Sequence, residues 1–223
     1  MKARRRVGIA HPPDGTILEL LEHDGDFILT SGGSVLMSTR NRRSEEALSQ
    51  LGCQDLGRDA HVLIGGLGMG FSLRAALDLL PDDARILQVE LIPEIVEWNQ
   101  GPLGDHAGQP CSDPRVEIVV RDVATVINQS TKRFDAILLD VDNGPSAMVT
   151  KDNACLYSRR GISAAHRALR PNGCLAIWSA DDDQRLTSRL DAAGFSTTTH
   201  RVKGRVGGGT RHVVFVARRG HRG

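Results

Sequence analysis

The sequence predicts an α/β protein: an open, mostly parallel sheet of seven strands with a closing antiparallel hairpin, preceded by a small N-terminal β-rich extension. Three observations carry this. Between His61 and Leu77, the apolar run Val62 to Ile64 ends in Gly65, Gly66, Gly68 and Gly70 and passes directly into a helical pattern. Downstream, strand-like and helix-like segments alternate five times. Residues 1–57 lack that alternation and read as short strands between turn signals, so two units are expected, 1–57 and 58–223.

Taken in order, Thr16 to Leu21 and Asp26 to Thr30 are strand candidates around the turn His23-Asp24-Gly25, and Gly32-Gly33 turns the chain into Ser34 to Met37. Arg43 to Leu51 reads as a helix with Gly52 as its stop. Such a short unit buries little by itself and is expected to pack on the main domain or on a second subunit. The main unit begins with the strand Val62 to Gly65 and the helix Gly70 to Leu80. Arg85 to Glu90 is the second strand, followed by a helix entered through Pro93. A glycine- and proline-rich loop covers 101–114. Val116 to Val120 is the third strand and Val123 to Gln129 a short helix. Phe134 to Asp140 is almost wholly apolar, as a strand covered on both faces requires. A helix from Ser158 to Leu169 stops at Pro171-Asn172-Gly173, and Cys174 to Trp178 is the fifth strand. Asp183 to Ala193 is a helix with Gly194 past its end. Phe195 to His200 and His212 to Ala217 close the sheet across Gly207-Gly208-Gly209, read as a long turn or a lid.

Composition narrows the function classes. The 223 residues are 40% hydrophobic and 25% charged with a formal charge of +1, so no global field draws nucleic acid or a membrane surface. Basic residues gather at the ends, in Lys2 and Arg4 to Arg6 and in Arg218, Arg219 and Arg222, where they read as solubilising frayed ends. Cys53, Cys111, Cys155 and Cys174 form no C-x-x-C pair, which argues against a zinc knuckle or disulfide framework. No apolar h-region follows the basic start, and no run approaches the ~18 apolar residues of a membrane span. The expectation is a cytoplasmic protein acting on a small molecule, without nucleic-acid or membrane partners or a metal.

In open α/β sheets, ligands sit beyond the carboxyl ends of the strands. Those ends carry the four glycines, then Glu90, then Arg121-Asp122, then Asp140 with Asp142, then Ser179 with Asp181. A dinucleotide fingerprint needs G-x-G-x-x-G. Counted from Gly66 its third glycine would be Phe71, and counted from Gly68 it would be Leu73. The spacing is G-x-G-x-G, which tilts toward an S-adenosylmethionine nucleoside pocket. Glu90, 22 positions after Gly68, is placed to accept hydrogen bonds from ribose hydroxyls, or reads as a helix-entry charge. Asp122 reads as a cap for the helix at Val123, as a partner for an adenine amine, or as both. Asp140 and Asp142, two residues apart after a buried strand, read as a pair that binds a cationic amine or takes its proton, or as a turn before Gly144-Pro145. Trp98, Trp178 and Arg211-His212 read as packing or as pocket walls, and His166 as a surface residue.

The glycine loop, V-E-L-I-P-E-I-V-E-W-N around Glu90, D-P-R-V-E-I-V-V-R-D-V-A from Asp113, F-D-A-I-L-L-D, L-Y-S at Leu156 to Ser158 and A-L-R-P-N-G-C-L together resemble the spermidine synthase (polyamine aminopropyltransferase) family, a branch of the Rossmann-like class I methyltransferase fold. The likeness covers Val62 to Trp178. It implies that Gly65, Gly66, Gly68, Gly70, Glu90, Leu91, Asp122, Val123 and Asp140 hold S-adenosylmethionine or its decarboxylated form, with Asp140 and Asp142 catalytic. It further implies a homodimer that transfers an aminopropyl group to an amine. The family's glycine-loop aspartate is replaced here by Gly68-Met69, Met37 falls near its N-terminal glutamine, and Ser44-Glu45-Glu46 fall near its tyrosine–histidine pair. Methyl transfer to a small molecule and a non-catalytic nucleoside-binding role are the alternatives.

Overall fold

The central strands form because their sequences are apolar on both faces. β5 (His61–Gly65), β6 (Arg85–Glu90) and β8 (Phe134–Leu139) are each buried but for one residue. A computed structural model describes residues 4–141, 155–205 and 208–220. In it these strands lie at the middle of a seven-stranded sheet with β7 (Val116–Val120), β9 (Leu169–Ser179), β10 (Phe195–Arg205) and β11 (Gly208–Arg219). The order is β10-β11-β9-β8-β5-β6-β7, parallel except where β11 pairs with β9 and β10. The class expected from the sequence is therefore observed. β5 pairs with β6 on one side and β8 on the other, so the strand order reverses beside β5.

The period of two along each strand sorts the core into two layers. Val62 and Ile64 of β5 join Leu48 of α1 (Arg43–Cys53), Leu73 of α2 (Phe71–Leu79) and Ile95 of α3 (Pro93–Gln100). Leu63 faces the other way, with Val126 of α4 (Val123–Asn128), Ile162 of α5 (Arg159–Ala168) and Leu186 of α6 (Gln184–Ala192). The loop 101–114 contains two single-turn 3₁₀ helices, Gly104–Ala107 and Pro110–Ser112. No helix among the described residues is long and apolar enough to cross a membrane.

The N-terminal sheet is an antiparallel meander of four strands, β1 (Arg5–Ala10), β2 (Leu18–His23), β3 (Asp26–Ser31) and β4 (Ser34–Ser38). β1 is the strand that sequence reading passed over as a basic frayed end. It pairs antiparallel with β2, Arg5 opposite Glu22 and Arg6 opposite Leu21, and Arg5 and Arg6 form ion pairs with Glu22 and Glu19. At Gly8 a Cβ would lie 2.5 Å from Trp98 Nε1, so β1 is pressed onto α3 and Trp98 serves packing. Leu20, Phe27 and Leu29 join the same buried cluster as Val62 and Ile64.

Three local expectations are corrected. Gly52 does not stop α1 but lies inside it, because the helix backbone rests directly on the sheet: a Cβ there would be 2.3 Å from Leu138 Cδ2 and 3.2 Å from Ala176 Cβ. Pro171-Asn172-Gly173 does not precede the fifth strand but is absorbed into β9 as an irregularity against β8, with Asn172 at φ 65°. The last two strands are longer than expected, since Phe195 to Lys203 pair continuously with Arg211 to Arg219. Part of the turn at Gly207 lies outside the described residues.

Gly52→Val should overpack this helix–sheet contact at a cost of about 1–3 kcal/mol. Thermal unfolding followed by circular dichroism should show the midpoint fall by roughly 2–4 °C per kcal/mol. An unchanged midpoint would mean that Leu138 yields without cost.

Candidate active site

The glycine turn is shaped by what crosses it. Asp140 N–H donates to the Gly65 carbonyl at 2.8 Å, and Gly66 N–H donates to the Val89 carbonyl at 2.8 Å. These bonds tie the end of β5 to both neighbouring strands at the point where strand order reverses. At Gly66, φ is 87° and a Cβ would lie 2.1 Å from the Asp140 carbonyl oxygen, so no other residue fits. The turn is braced by two buried amides. Gln88 Nε2 donates to the Gly66 carbonyl at 2.9 Å, and Asn99 Nδ2 donates to those of Gly68 and Ile95, each at 2.9 Å.

A cavity of about 400 Å³ opens beyond this turn. Of the candidate residues, Gly66, Gly68, Glu90, Leu91, Asp122, Val123 and Asp140 line it. Gly65 and Gly70 do not: Gly65 packs under Val123, and Gly70 faces Asn99. Asp142 and the rest of the Asn143-Gly144-Pro145 turn lie outside the described residues.

Each acid is held by its local structure. Glu90 is 7% exposed. Its Oε2 accepts from Leu67 N–H at 2.7 Å, and its Oε1 accepts from Leu91 and Ile92 N–H at 2.8 and 3.0 Å. One carboxylate thus joins the glycine turn to the entry of α3 while still facing the cavity. Asp122 caps α4, its Oδ1 accepting from Ala124 N–H at 2.7 Å, and remains exposed. Asp140 accepts a hydrogen bond from the Ser72 hydroxyl on the first turn of α2. Burial raises the Asp140 pKa above the ordinary carboxylate value; the Ser72 bond opposes this and the Glu90 charge adds to it.

By resemblance Ser44-Glu45-Glu46 fall near the family's tyrosine–histidine pair, and it is Glu45 that α1 brings to the cavity. Glu45 lines the same cavity, and its pKa is raised by burial and then by the negative charge of Asp140. Its Oε2 accepts from the Ser44 hydroxyl at 2.5 Å. In the sequence Glu45 is a first-turn acid on an amphipathic helix, a pattern explained by the helix dipole alone. Nothing in it reports a carboxylate 95 positions downstream. Met37 of β4, which by resemblance falls near the family's N-terminal glutamine, has its Cε 3.1 Å from where a Gly68 Cβ would sit, so the N-terminal sheet roofs the turn. On the far wall Trp178 and His212 stack with ring centroids 4.8 Å apart and planes at 31°. Trp178 Nε1 and His212 Nδ1 are buried without hydrogen-bond partners among the described residues. Burial lowers the His212 pKa, which favours the neutral ring. His166 instead makes an edge contact with Phe195. Among the described residues, no group of three or more His, Cys, Asp or Glu could hold a metal ion.

Comparison with known proteins identifies the family and the fold. The spermine/spermidine synthase domain matches residues 42–187. A polyamine aminopropyltransferase of Corynebacterium efficiens is 30% identical over 202 residues, 86% of this chain and 37% of that protein. One from Pseudomonas syringae is 28% identical over 150 residues, 66% of this chain and 48% of that protein. The chain thus spans less than half the length of these relatives. A spermidine synthase from Thermotoga maritima superposes with a TM-score of 0.77 at 18% identity, covering 97% of this chain and 73% of that one. A spermidine synthase crystallised with the transition-state analogue AdoDATO superposes with a TM-score of 0.80 at 19% identity, covering 97% and 74%. At these identities the two structures establish the shared fold.

The facing acids have a stability consequence. Both folded pKa values lie above the ordinary carboxylate value, so the stability these groups contribute is present at low pH and lost as pH rises through the raised pKa. Glu45→Gln should therefore melt with the wild type at acid pH and above it at neutral pH, as measured by scanning fluorimetry. Identical curves across pH would show that the two carboxylates do not oppose each other.

Proposed function

The chain belongs to the spermine/spermidine synthase family, and from that premise we propose that its cavity binds an adenosyl sulfonium substrate, decarboxylated S-adenosylmethionine, and transfers the aminopropyl group to an amine. The observation that carries this reading is the position of Asp140, which lines the cavity between the glycine turn and Glu90 and holds its proton more tightly than an ordinary carboxylate. The cavity volume, about 400 Å³, is that of a small-molecule pocket. Bare backbone at Gly66 and Gly68 lets a nucleoside lie close. Glu90 is placed for the ribose hydroxyls and Asp122 for the adenine amine, with Leu91 and Val123 flanking the base.

The chemistry asks little covalent work of the protein. The sulfonium carbon is already electrophilic, so the residues must align the nucleophile and keep it unprotonated. The amine nitrogen forms the new C–N bond as the C–S bond breaks, and the bonding pair leaves on sulfur as a neutral thioether. Asp140 takes the proton that the nitrogen sheds. A carboxylate with a raised pKa is a better acceptor for it than one in water.

Methyl transfer from intact S-adenosylmethionine is the second reading, favoured by the absence of any carboxylate within the turn from Gly65 to Gly70. The proposed setting is cytoplasmic, which four free thiols support. The proposed assembly is a homodimer, supported by the exposed Ile17 and Val35 of the N-terminal unit.

Calorimetry with S-adenosylmethionine, its decarboxylated form and methylthioadenosine separates the readings. Aminopropyl transfer expects the decarboxylated form to bind more tightly than the intact one. The reverse order would favour methyl transfer, and no binding of any would end both enzyme readings. Glu90→Gln should weaken methylthioadenosine binding about tenfold or more through its hydrogen bonds. Asp140→Asn should keep that binding and lose about 10²–10⁴-fold in turnover; undiminished turnover would remove Asp140 from the proton step.

A further inference from the structure

Asp140 is held firmly in its main chain, but its side chain is not set by those contacts. Its N–H is bonded to the Gly65 carbonyl, and its own carbonyl oxygen lies against Gly66. The carboxylate turns about a bond with a broad, roughly two-fold preference, so backbone position alone does not fix its plane. A base that must meet a nitrogen inside the cavity needs that plane fixed.

One side chain does this. Ser72, on the first turn of α2, is 2% exposed, and its hydroxyl donates to Asp140 Oδ2. The hydroxyl has a single proton to give, and its other acceptor among the described residues is the Glu45 main-chain carbonyl at 3.4 Å. That distance is beyond the usual range for an O–H···O bond, so the proton belongs to Asp140. Asp140 Oδ1 accepts no hydrogen bond among the described residues. The tie between α1 and α2 does not need the Ser72 hydroxyl. The buried Ser49 of α1 donates to the Ser72 main-chain carbonyl at 2.6 Å, and Leu48 and Leu73 share one core cluster.

We propose that Ser72 is a positioning residue of this site: by occupying Oδ2 it orients the Asp140 carboxylate and leaves Oδ1 as the oxygen that takes the proton shed by the attacking nitrogen. This rests on the reading of Asp140 as the proton acceptor and adds the residue that aims it. The step balances. An N–H bond breaks with its electron pair left on nitrogen, an O–H bond forms at Oδ1, and the Ser72 proton stays where it is. The Ser72 bond also favours the ionised carboxylate, against burial and the Glu90 charge. The other charged or titratable side chains lining the cavity are Asp14, Glu45, Glu90, Arg121, Asp122 and His212, and a Ser72 variant leaves all of them in place.

Ser72→Ala removes one oxygen and keeps the Ser49 bond. With decarboxylated S-adenosylmethionine and 1,4-diaminobutane as substrates, its kcat should fall roughly ten- to a hundredfold, with methylthioadenosine affinity unchanged by calorimetry. The acid limb of its kcat profile should move up by about one pH unit, because ionised Asp140 loses a hydrogen bond. Ser72→Thr, which keeps the hydroxyl, should recover most of both effects, and a packing role alone would not move the acid limb. Ser72→Ala combined with Asp140→Asn should be no slower than Asp140→Asn alone, since Ser72 acts through Asp140. Carbon-13 NMR of the aspartate carboxyls reads the same titration without turnover, with Asp140 assigned from the Asp140→Asn spectrum. If Ser72→Ala does not fold, Ser72→Cys fills the site with a weaker donor and carries the same comparison. An unmoved Asp140 titration, or an undiminished kcat beside an Asp140→Asn variant that has lost turnover, would overturn the inference and leave Asp140 in its role. Undiminished turnover in Asp140→Asn would instead bring down the reading of Asp140 and this one with it.

Discussion

One backbone hydrogen bond, from Asp140 N–H to the Gly65 carbonyl, sets where chemistry can occur in this molecule. It holds the ends of β5 and β8 together at the place where strand order reverses, and it brings the Asp140 carbonyl so close to Gly66 that only glycine fits. From that contact the geometry follows outward. The turn must rise over the end of β8, α2 must start beyond it, and Ser72 on that first turn must meet the Asp140 carboxylate. Glu90 completes the frame by accepting Leu67 N–H on one side and the two amides entering α3 on the other. The carboxylate braces the turn and lines the cavity at once, so its loss would disturb the turn as well as the cavity wall.

The second constraint is charge. The cavity gathers acids from both units, and the protein leaves Glu45 and Asp140 without a basic partner among the described residues.

The N-terminal unit is not an appendage to this site. β1 presses Gly8 against Trp98, and Leu20, Phe27 and Leu29 share the core with β5. β4 then carries Met37 over Gly68. The meander is legible in part from its turns, but β1 is invisible by local pattern. Its residues R-R-V-G-I-A show little alternation, and they become a strand by pairing along β2, where Arg5 stands opposite Glu22 and Arg6 reaches diagonally to Glu19. Cross-strand pairing is a non-local property, and a basic end carries no trace of its partner.

The sequence by itself determined the α/β class, the family resemblance, and the strand ends where Glu90, Asp122 and Asp140 stand. Those features rest on local physics: apolar runs make buried strands, glycine allows the turn, and a period of 3.6 makes the intervening helices. Only the tertiary structure decided that Gly65 and Gly70 shape the turn and do not line the cavity, that Gly52 belongs inside α1, and that Glu45 lines the same cavity as Asp140. Each of these depends on which surfaces meet across the fold: Val123 over Gly65, Leu138 under Gly52, and Ser72 between the Asp140 carboxylate and the main chain of Glu45. Spacing along a chain reports neighbours on the same element. Contacts between a helix and the end of a distant strand arise only once the sheet exists to carry both.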